Sequence, residues 1–345
     1  MKNFATLFLL FISFYTTAQP QFAKMNEALR AGNYENIHSI LISQNDTIIY
    51  EAYFNGYNRD SLHDSRSSFK SITSLLTGIA LDKQLIKNVK QPISTFFPAE
   101  NIFAADTLKK QITIENLLEM RSGFDCNEWD DSKDCEAEME KTSDWVNFSL
   151  SIPMKNKPGT TWAYTSCNPV IVGGIIEKAA NMPVIQFADT YFFAPLGITK
   201  YRWTTDPSGH GMTGGSFYIR PVDMLQIGQL VLNNGKKGNT RIVSEKWLEN
   251  STRCNIPIPG SSFVQMSRSA AAIPQPAYYG YYWYREEIKT ASGSYPLLFA
   301  SGNGGQYIMI IKPLNMVVVF TQGNYGKRVA KQAFDILAKY ILPSE

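Results

Sequence analysis

The chain has 345 residues, of which 44% are hydrophobic and 13% aromatic, so it can bury a large core and is neither disordered nor fibrous. Its 33 Lys and Arg residues against 30 Asp and Glu residues leave a formal charge of only +3, which argues against nucleic acid as a partner. The three histidines, His38, His63 and His210, are far apart in the sequence. They form no HExxH motif or His-rich cluster, which argues against a zinc hydrolase.

The N-terminus has the pattern of a secretory signal peptide. Lys2 precedes an apolar run over residues 4–15, and small residues follow up to Ala18. The alternative, a buried N-terminal helix, fits the short run and the Thr-Thr-Ala ending less well. We therefore predict cleavage after residue 18, a mature domain over 19–345, and a secreted or periplasmic protein. No later apolar stretch reaches the ~20 residues of a membrane span, so no integral membrane segment is expected.

Four cysteines, Cys126, Cys135, Cys167 and Cys254, are compatible with one or two disulfides in an oxidising compartment. The spacing matches no CxxC metal pattern. A local bridge between Cys126 and Cys135, across the acidic loop NEWDDSKD, is favoured slightly. A bridge from Cys126 to Cys167, and free buried thiols, remain open.

Hydrophobic patterning predicts one α+β domain. After an N-terminal helix, HSILISQND and TIIYEAYFNGY alternate like the two strands of a hairpin around an Asn-Asp turn. Residues 65–85 carry an apolar helical stripe, and a mostly helical subdomain follows over about 86–205. The C-terminal part returns to strands and ends in an amphipathic helix over 327–341. We therefore expect an antiparallel sheet built from both termini, with flanking helices and an inserted helical subdomain.

The first chemical candidate is Ser67-Ser68-Phe69-Lys70, since the chain contains no G-x-S-x-G and no P-loop or dinucleotide-binding motif. At the start of a helix this spacing puts Ser67 and Lys70 on one face, with Cβ atoms about 5–6 Å apart. Burial and the positive helix end would both favour a neutral Lys70 amine that acts as a base. On this motif alone, a capping serine followed by a surface lysine remains the more common interpretation.

The second candidate is Tyr164-Thr165-Ser166, which follows a Pro-Gly turn and precedes an apolar helix. Tyr164 can move a proton between Ser67, Lys70 and a leaving group, and Ser166 can hydrogen-bond the substrate or Lys70. Taken alone, this is a buried tyrosine followed by a helix-capping serine.

The third candidate is the glycine-rich stretch over residues 302–306. Its residues Asn303, Gly304 and Gly305 would let a substrate lie against the backbone, and the N–H of Gln306 is the best-placed oxyanion donor. A simple glycine-rich hairpin turn is the alternative.

In this order and at this wide spacing, the three motifs resemble the serine β-lactamase-like superfamily. The similar branch contains class C β-lactamases, DD-peptidases, carboxylesterases and nylon-oligomer hydrolases, and the resemblance extends over roughly residues 30–340. It implies the β-lactamase/DD-peptidase fold and an acyl-enzyme on Ser67, with Lys70 as base and Tyr164 as proton shuttle. It also implies an oxyanion hole made by the backbone N–H groups of Ser67 and Gln306.

Two departures weaken β-lactam turnover as a hypothesis. Asn303 stands where the family usually has Lys or His, and Ser166 replaces the asparagine of the Y-x-N form. Arg220, His210 and Arg285 are the candidates for supplying charge from elsewhere.

Other chemically suggestive residues are assigned structural roles. The loop with Trp129, Asp130, Asp131 and Asp134, together with Trp145, is interpreted as solvated surface with packed aromatics. The run YYGYYWYR is interpreted as core.

The sequence thus predicts a secreted serine hydrolase that acts on a small ester or amide without metal or cofactor. A peptidoglycan DD-peptidase or a β-lactamase is the alternative within the fold. A non-catalytic binding domain of the same fold is the alternative from another class.

Overall fold

The structure is a computed structural model that describes residues 22–98, 101–129 and 133–343, so the predicted signal peptide at 1–18 lies outside the described residues. The strands are β1 (Ile37–Gln44), β2 (Thr47–Tyr53), β3 (His63–Asp64), β4 (Tyr201–Trp203), β5 (Phe217–Ile219), β6 (Lys236–Lys237), β7 (Thr240–Arg241), β8 (Ile256–Pro257), β9 (Tyr278–Tyr279), β10 (Tyr284–Thr290), β11 (Gly293–Gly302), β12 (Gln306–Ile311) and β13 (Met316–Gln322).

The α-helices are α1 (Ala23–Arg30), α2 (Phe69–Asp82), α3 (Ile102–Ala105), α4 (Ile114–Leu118), α5 (Cys135–Met139), α6 (Trp145–Ser151), α7 (Cys167–Ala180), α8 (Val184–Ala188), α9 (Pro221–Leu232), α10 (Glu245–Ser251), α11 (Phe263–Ser267) and α12 (Gln332–Ile336). Tighter 3₁₀ turns occur at Arg66–Ser68, Ile93–Thr95, Lys109–Gln111, Lys312–Leu314 and Arg328–Lys331. Wider π turns occur at Asp189–Phe193 and Leu337–Ile341.

The main sheet is assembled from both ends of the described chain, as the patterning predicts. Its strand order is β2-β1-β13-β12-β11-β10-β9-β8, and all pairs are antiparallel. The predicted first hairpin is confirmed: Asn45 and Asp46 form its two-residue turn with φ of +50° and +60°. Asparagine and aspartate tolerate this left-handed conformation, which matches the twist of the flanking strands.

Helices cover both faces of this sheet. On one face, Gly228 of α9 lies so close to Val317 and Ile308 that an added Cβ would come within 2.4 Å of the valine. On the other face, the ring of Phe334 in α12 packs 5.3 Å from the ring of Tyr307. Because Tyr307 and Ile308 are consecutive in β12, their side chains point to opposite faces.

The described residues between β3 and β4 contain helices and loops but no strand. This is where the inserted helical subdomain is expected. No single described helix is long and apolar enough to span a bilayer; the bent pair Cys167–Ala180 and Val184–Phe193, at 79°, meets that test only by length and composition.

Most of the aromatic run near the C-terminus belongs to the core, as predicted, while Tyr278 and Tyr281 are half-buried. Tyr279, Tyr282, Trp283 and Tyr284 are each 4% exposed or less. They extend the sheet towards β8 and place aromatic side chains behind the residues of the candidate site.

Candidate active site

Ser67 lies in the 3₁₀ turn Arg66–Ser68, which leads directly into α2. The turn is attached to the small sheet β3-β5-β4, because the backbone N–H of Ser65 donates to the carbonyl of Phe217 at 2.8 Å. Arg66 has a φ of +47°, a strained conformation for a residue with a side chain. Its N–H donates to the Asp64 carboxylate at 3.0 Å, which helps to hold that conformation. Ser67 itself remains partly exposed, so a substrate can reach its hydroxyl.

Helix α2 is buried on all sides rather than along one apolar stripe. Every residue from Phe69 to Ala80 is buried, including Ser71, Thr73 and Thr77. The apolar spacing identified the helix but underestimated how much of it is enclosed. Lys70 is consequently only 1% exposed, so the surface-lysine interpretation of the first motif is wrong.

The Lys70 amine is surrounded by three oxygen acceptors. Its Nζ lies 2.9 Å from Ser67 Oγ, 3.0 Å from Ser166 Oγ and 2.6 Å from the carbonyl oxygen of Gly214. The structure thus brings together Ser67, Lys70 and Ser166, which are separated by up to 99 positions. The Gly214 carbonyl is an addition that no side-chain pattern reveals, because it belongs to the backbone.

Burial lowers the pKa of the Lys70 amine below its ordinary value of 10.5, while the carboxylates of Glu136 and Glu128 and the thiol of Cys167 act in the opposite direction. A lowered pKa increases the fraction of neutral amine at a given pH. Because only the neutral amine has a lone pair, this environment suits Lys70 to accept the proton of Ser67.

Tyr164 lies across the site from α2. Its ring centroid is 5.0 Å from Lys70 Nζ, and its hydroxyl is close enough to the Ser67 and Tyr284 hydroxyls for both to affect its pKa. Burial raises the pKa of Tyr164, against the lowering effect of the Ser67 hydroxyl. The phenol therefore keeps its proton in the resting state and can donate it.

Glu128 is a site residue that the sequence reasoning missed. Its carboxylate accepts the Ser166 hydroxyl at 2.8 Å, the Ser166 backbone N–H at 3.0 Å and the Thr165 hydroxyl at 3.1 Å. It lies in the loop that was interpreted as solvated surface, and its only sequence signal was its place between two cysteines. Those cysteines, Cys126 and Cys135, are joined by a disulfide in the structure, whereas Cys167 and Cys254 are free and buried.

The same loop places Trp129 against the site. Its ring centroid lies 5.9 Å from that of Tyr164 and 6.4 Å from that of Tyr284. Trp129 is half-buried and packs beside the site, and Trp145 is 4% exposed in the core, so both tryptophans are packed aromatics as expected. Asp130 and Asp131 lie outside the described residues.

The glycine-rich stretch is a hairpin turn, the alternative that the sequence left open. Asn303, Gly304 and Gly305 connect β11 to β12, and the two glycines have φ of +87° and +99°. A Cβ would come within 2.5 Å of the Tyr325 ring at Gly304 and within 2.5 Å of the Gln322 side chain at Gly305. The glycines are needed for the turn and its packing.

Asn303 and Gln306 are also engaged within the fold. The Asn303 side chain accepts the backbone N–H of Gly326 at 2.8 Å. Gln306 is fully buried and pairs with Gly302, and its side chain donates to the carbonyl of Gln322 at 2.6 Å. Gln306 lies in β12, opposite Gly302 of β11, and its role as an oxyanion donor stays a prediction. The edge of β11 beyond Phe299, which has no β10 partner, is a second candidate for that donor.

Strand β11 approaches the nucleophile more directly. Its pairing with β10 ends at Phe299, opposite Tyr284, whereas its pairing with β12 continues to Gly302. The stretch 300–302 therefore has a strand neighbour on one side only. At Gly302 an added Cβ would lie 2.3 Å from the carbonyl oxygen of Ser65, so strand and nucleophile turn meet backbone to backbone.

Arg220 and Arg285 are bound elsewhere in the protein. The Arg220 guanidinium forms two hydrogen bonds with Asp223, at 2.7 and 2.9 Å. Arg285 stacks over the ring of Tyr278, 5.4 Å from its centroid. The structure brings neither residue to Ser67.

His210 pairs through Nδ1 with Glu177 at 2.5 Å. His210 also lies close to two aspartates, Asp144 and Asp206. One potential metal-ligand atom from each of His210, Asp144 and Asp206 lies within 4.8 Å of the other two. Asp206 accepts the backbone N–H groups of His210 and Trp145, so this cluster is held by protein hydrogen bonds.

Comparison with known proteins identifies the family. The family model described as Beta-lactamase matches residues 38–340. The chain belongs to the beta-lactamase family. This confirms the resemblance seen in the three motifs.

Among curated relatives, 6-aminohexanoate-dimer hydrolase of Paenarthrobacter ureafaciens is 22% identical over 225 residues, covering 61% of this chain and 56% of the relative. A putative D-alanyl-D-alanine carboxypeptidase of Salmonella typhimurium is 22% identical over 183 residues, covering 48% and 42%. The chain thus spans about half the length of these curated relatives.

Solved structures establish the fold. A putative 6-aminohexanoate-dimer hydrolase from Bacillus anthracis superposes with a TM-score of 0.71 at 17% identity, covering 90% of this chain and 80% of that one. A family VIII carboxylesterase gives 0.67 at 17% identity, covering 93% and 97%. A class C beta-lactamase gives 0.65 at 12% identity, covering 94% and 96%. The predicted β-lactamase/DD-peptidase-like fold is confirmed.

Proposed function

We propose that the protein is a serine hydrolase that cleaves a small ester or amide through an acyl-enzyme on Ser67. The observation that carries the proposal is the enclosed Lys70 amine 2.9 Å from the partly exposed Ser67 hydroxyl. A nucleophile and a base within hydrogen-bond reach are what acyl transfer requires. The hydrolase and carboxylesterase names of the relatives support the same reaction class.

In acylation, the neutral Lys70 amine takes the proton from Ser67 as Oγ attacks the carbonyl carbon of the substrate. The tetrahedral intermediate collapses, the bond to the leaving group breaks, and Tyr164 donates its proton to that group. Lys70 then returns a proton to Tyr164. A water molecule attacks the acyl-enzyme in the reverse proton sequence, which releases the acid and restores Ser67.

The oxyanion of each tetrahedral intermediate needs two aligned donors. The backbone N–H of Ser67 is one, at the start of the helix. We assign the second to a backbone N–H of the stretch 300–303, because the edge of β11 beyond Phe299 lacks a β10 partner. Loss of one such donor typically costs about 3–4 kcal/mol of transition-state stabilisation.

A peptidoglycan DD-carboxypeptidase or a β-lactamase is the second candidate, favoured by the carboxypeptidase name of one group of relatives. The exposed Asn303, in place of a Lys or His, argues against it because an amide supplies no fixed charge for a substrate carboxylate. Saturable hydrolysis of nitrocefin, or a durable penicillin adduct on Ser67, would favour this candidate over the esterase or amidase.

Secretion through a signal peptide at residues 1–18 is part of the proposal. The disulfide between Cys126 and Cys135 supports it, because such bonds persist in oxidising compartments. Intact mass of the protein recovered from the exporting cells tests it: a chain that begins at Gln19 is expected, and a retained Met1 contradicts it.

Labelling with a fluorophosphonate probe tests the nucleophile. Intact-mass analysis should show one adduct on the wild-type protein, no adduct on Ser67→Ala, and a strongly slowed adduct on Lys70→Ala. Circular dichroism of each variant checks that it is folded. A folded wild-type protein that forms no adduct, and hydrolyses no nitrophenyl ester, would favour a non-catalytic binding domain.

A further inference from the structure

Glu128 carries a carboxylate that the three family motifs do not include. It accepts hydrogen bonds from Thr165 and Ser166, and within the described part of the chain it forms no ion pair with Lys or Arg inside 4 Å. Its backbone N–H donates to the carbonyl of Tyr164 at 2.7 Å, which ties the loop to the second motif. The loop is also closed by the disulfide at Cys126. The carboxylate is thus held firmly against Ser166.

The hydrogen-bond directions around Ser166 follow from this contact. A hydroxyl has one proton to donate, and an ionised carboxylate can only accept. Burial raises the pKa of Glu128, while its hydrogen bonds from Ser166 act in the opposite direction and favour the ionised carboxylate. With Glu128 ionised, the Ser166 proton goes to it, 2.8 Å away, which leaves Ser166 Oγ as an acceptor towards Lys70 at 3.0 Å. The Gly214 carbonyl is likewise only an acceptor, at 2.6 Å.

A neutral amine has two N–H bonds and one lone pair. With both N–H bonds directed at Ser166 Oγ and the Gly214 carbonyl, the lone pair of Lys70 is left facing the Ser67 hydroxyl, 2.9 Å away. If the Ser166 proton pointed to Lys70 instead, the lone pair would be drawn to Ser166. The amine would then present an N–H to the nucleophile and could not take its proton.

We propose that Glu128 is a positioning residue for acylation: by fixing Ser166 as an acceptor, it directs the lone pair of Lys70 at Ser67. This inference rests on the proposed serine hydrolase mechanism and extends it to a fourth side chain. Glu128 contacts neither the nucleophile nor the reacting atoms, and it acts through Ser166.

The charge of Glu128 gives this role a distinct pH signature. The charged and titratable groups that face Lys70 are Glu128 from the disulfide loop, Glu136 from α5, Cys167 from α7 and the ring of Tyr164. Both carboxylates raise the pKa of Lys70 against the lowering effect of burial. Removing the charge at 128 therefore lowers the pKa of Lys70 further, and the acid limb of the acylation rate moves to lower pH.

Glu128→Gln is the decisive variant because it keeps the shape of the side chain and removes its charge. An amide can donate to Ser166 Oγ and so release the hydroxyl proton towards Lys70. We expect the plateau rate of fluorophosphonate labelling to fall about 10- to 100-fold, and the acid limb to shift to lower pH. Rates from pH 5 to 10, measured by intact mass with the thermal midpoint of each variant, give both quantities.

Glu138→Gln is the matched control, since Glu138 lies exposed on α5 and the substitution makes the same charge change. It should leave both the plateau and the limb unchanged. A double-mutant cycle tests the route: combined with Ser166→Ala, Glu128→Gln should add no further loss. Additive losses, or wild-type rates in Glu128→Gln at every pH, would overturn the proposal.

If Glu128→Gln does not fold, Thr165→Val keeps the inference testable. It removes one hydrogen bond to the carboxylate and leaves Ser166 intact. A loss of about two- to fivefold is expected, and an unchanged rate contradicts the role of Glu128. A wild-type protein without labelling would instead reject the proposed hydrolase itself, so the two failures are distinguishable.

Discussion

Lys70 and Lys109 are both almost without exposed surface, but their surroundings among the described residues differ, and only Lys70 lies beside a nucleophile. Lys70 at the start of α2 is 1% exposed, and Lys109 in the helical region is 5% exposed. Burial lowers the pKa of both amines. Lys109, however, donates to the carbonyl of Leu150 at 2.7 Å, whereas Lys70 lies beside two hydroxyls. A lowered pKa alone therefore does not identify a base; an adjacent nucleophile does.

The largest expected effect is on the rate of fluorophosphonate labelling, which should depend on Lys70 and not on Lys109. Lys70→Met should slow fluorophosphonate labelling of Ser67 by about 1,000-fold, because the general base is lost. Lys109→Met should leave the labelling rate within about twofold, because the Lys109 amine donates to the Leu150 carbonyl and lies in a different region from Ser67. The second-order rate from intact mass measures both. Equal losses in the two variants would show that the amines act only through stability.

The pH dependence of labelling sharpens the same comparison. Acylation requires the neutral amine, so the rate rises as pH increases through the pKa of Lys70. Because burial lowers that pKa, the rising limb should lie below the ordinary value of 10.5. Lys109→Met serves as the control and should show the same limb. A wild-type rate that still rises steeply above pH 10.5 would contradict a neutral Lys70 in the resting enzyme.

A smaller effect on stability and labelling is expected from the loop between Cys126 and Cys135, which carries Glu128 beside the Lys70 site. Replacing Cys126 and Cys135 by serine opens a bridge between residues nine positions apart. The free energy of unfolding should fall by about 2–3 kcal/mol, and labelling should slow because Glu128 is less well held. Urea unfolding measures the first effect, with reduced wild-type protein as the control. Identical unfolding of oxidised and reduced wild-type protein would contradict the stabilising role of the bridge.

Sequence reasoning was most successful where the chemistry depends on side chains at fixed local spacing. The Asn45-Asp46 turn, the buried aromatics near Trp283 and the three-residue step from Ser67 to Lys70 are of this kind. Each is determined by neighbours within a few positions. The wide step to Tyr164 could be interpreted only because the three motifs resemble a known family.

The parts that sequence reasoning missed depend on contacts between distant segments or on the backbone. Glu128 meets Ser166 across 38 positions, and nothing local separates it from the acidic residues that follow it. The Gly214 carbonyl has no side-chain signature. The periodicity predicts a helix from residue 65, but α2 begins four residues later, at Phe69. The reason is the left-handed conformation of Arg66, in a turn that is held by β3 and β5. The glycines at 304 and 305 form the hairpin turn between β11 and β12, and their contact with a substrate stays a prediction.

The backbone contact at Gly302 has a consequence for how the protein tolerates change. Where Gly302 faces the Ser65 carbonyl, no side chain lies between the strand and the turn that carries the nucleophile. The distance between β11 and the nucleophile turn is therefore set by direct contact of the two backbones, and substitutions at other positions do not change it. Side chains around the site that take no part in this contact, such as Trp129, can be replaced without changing the distance between the strand and the turn. Gly302 thus sets the distance between β11 and the turn that carries Ser67, and any larger residue at this position would change it.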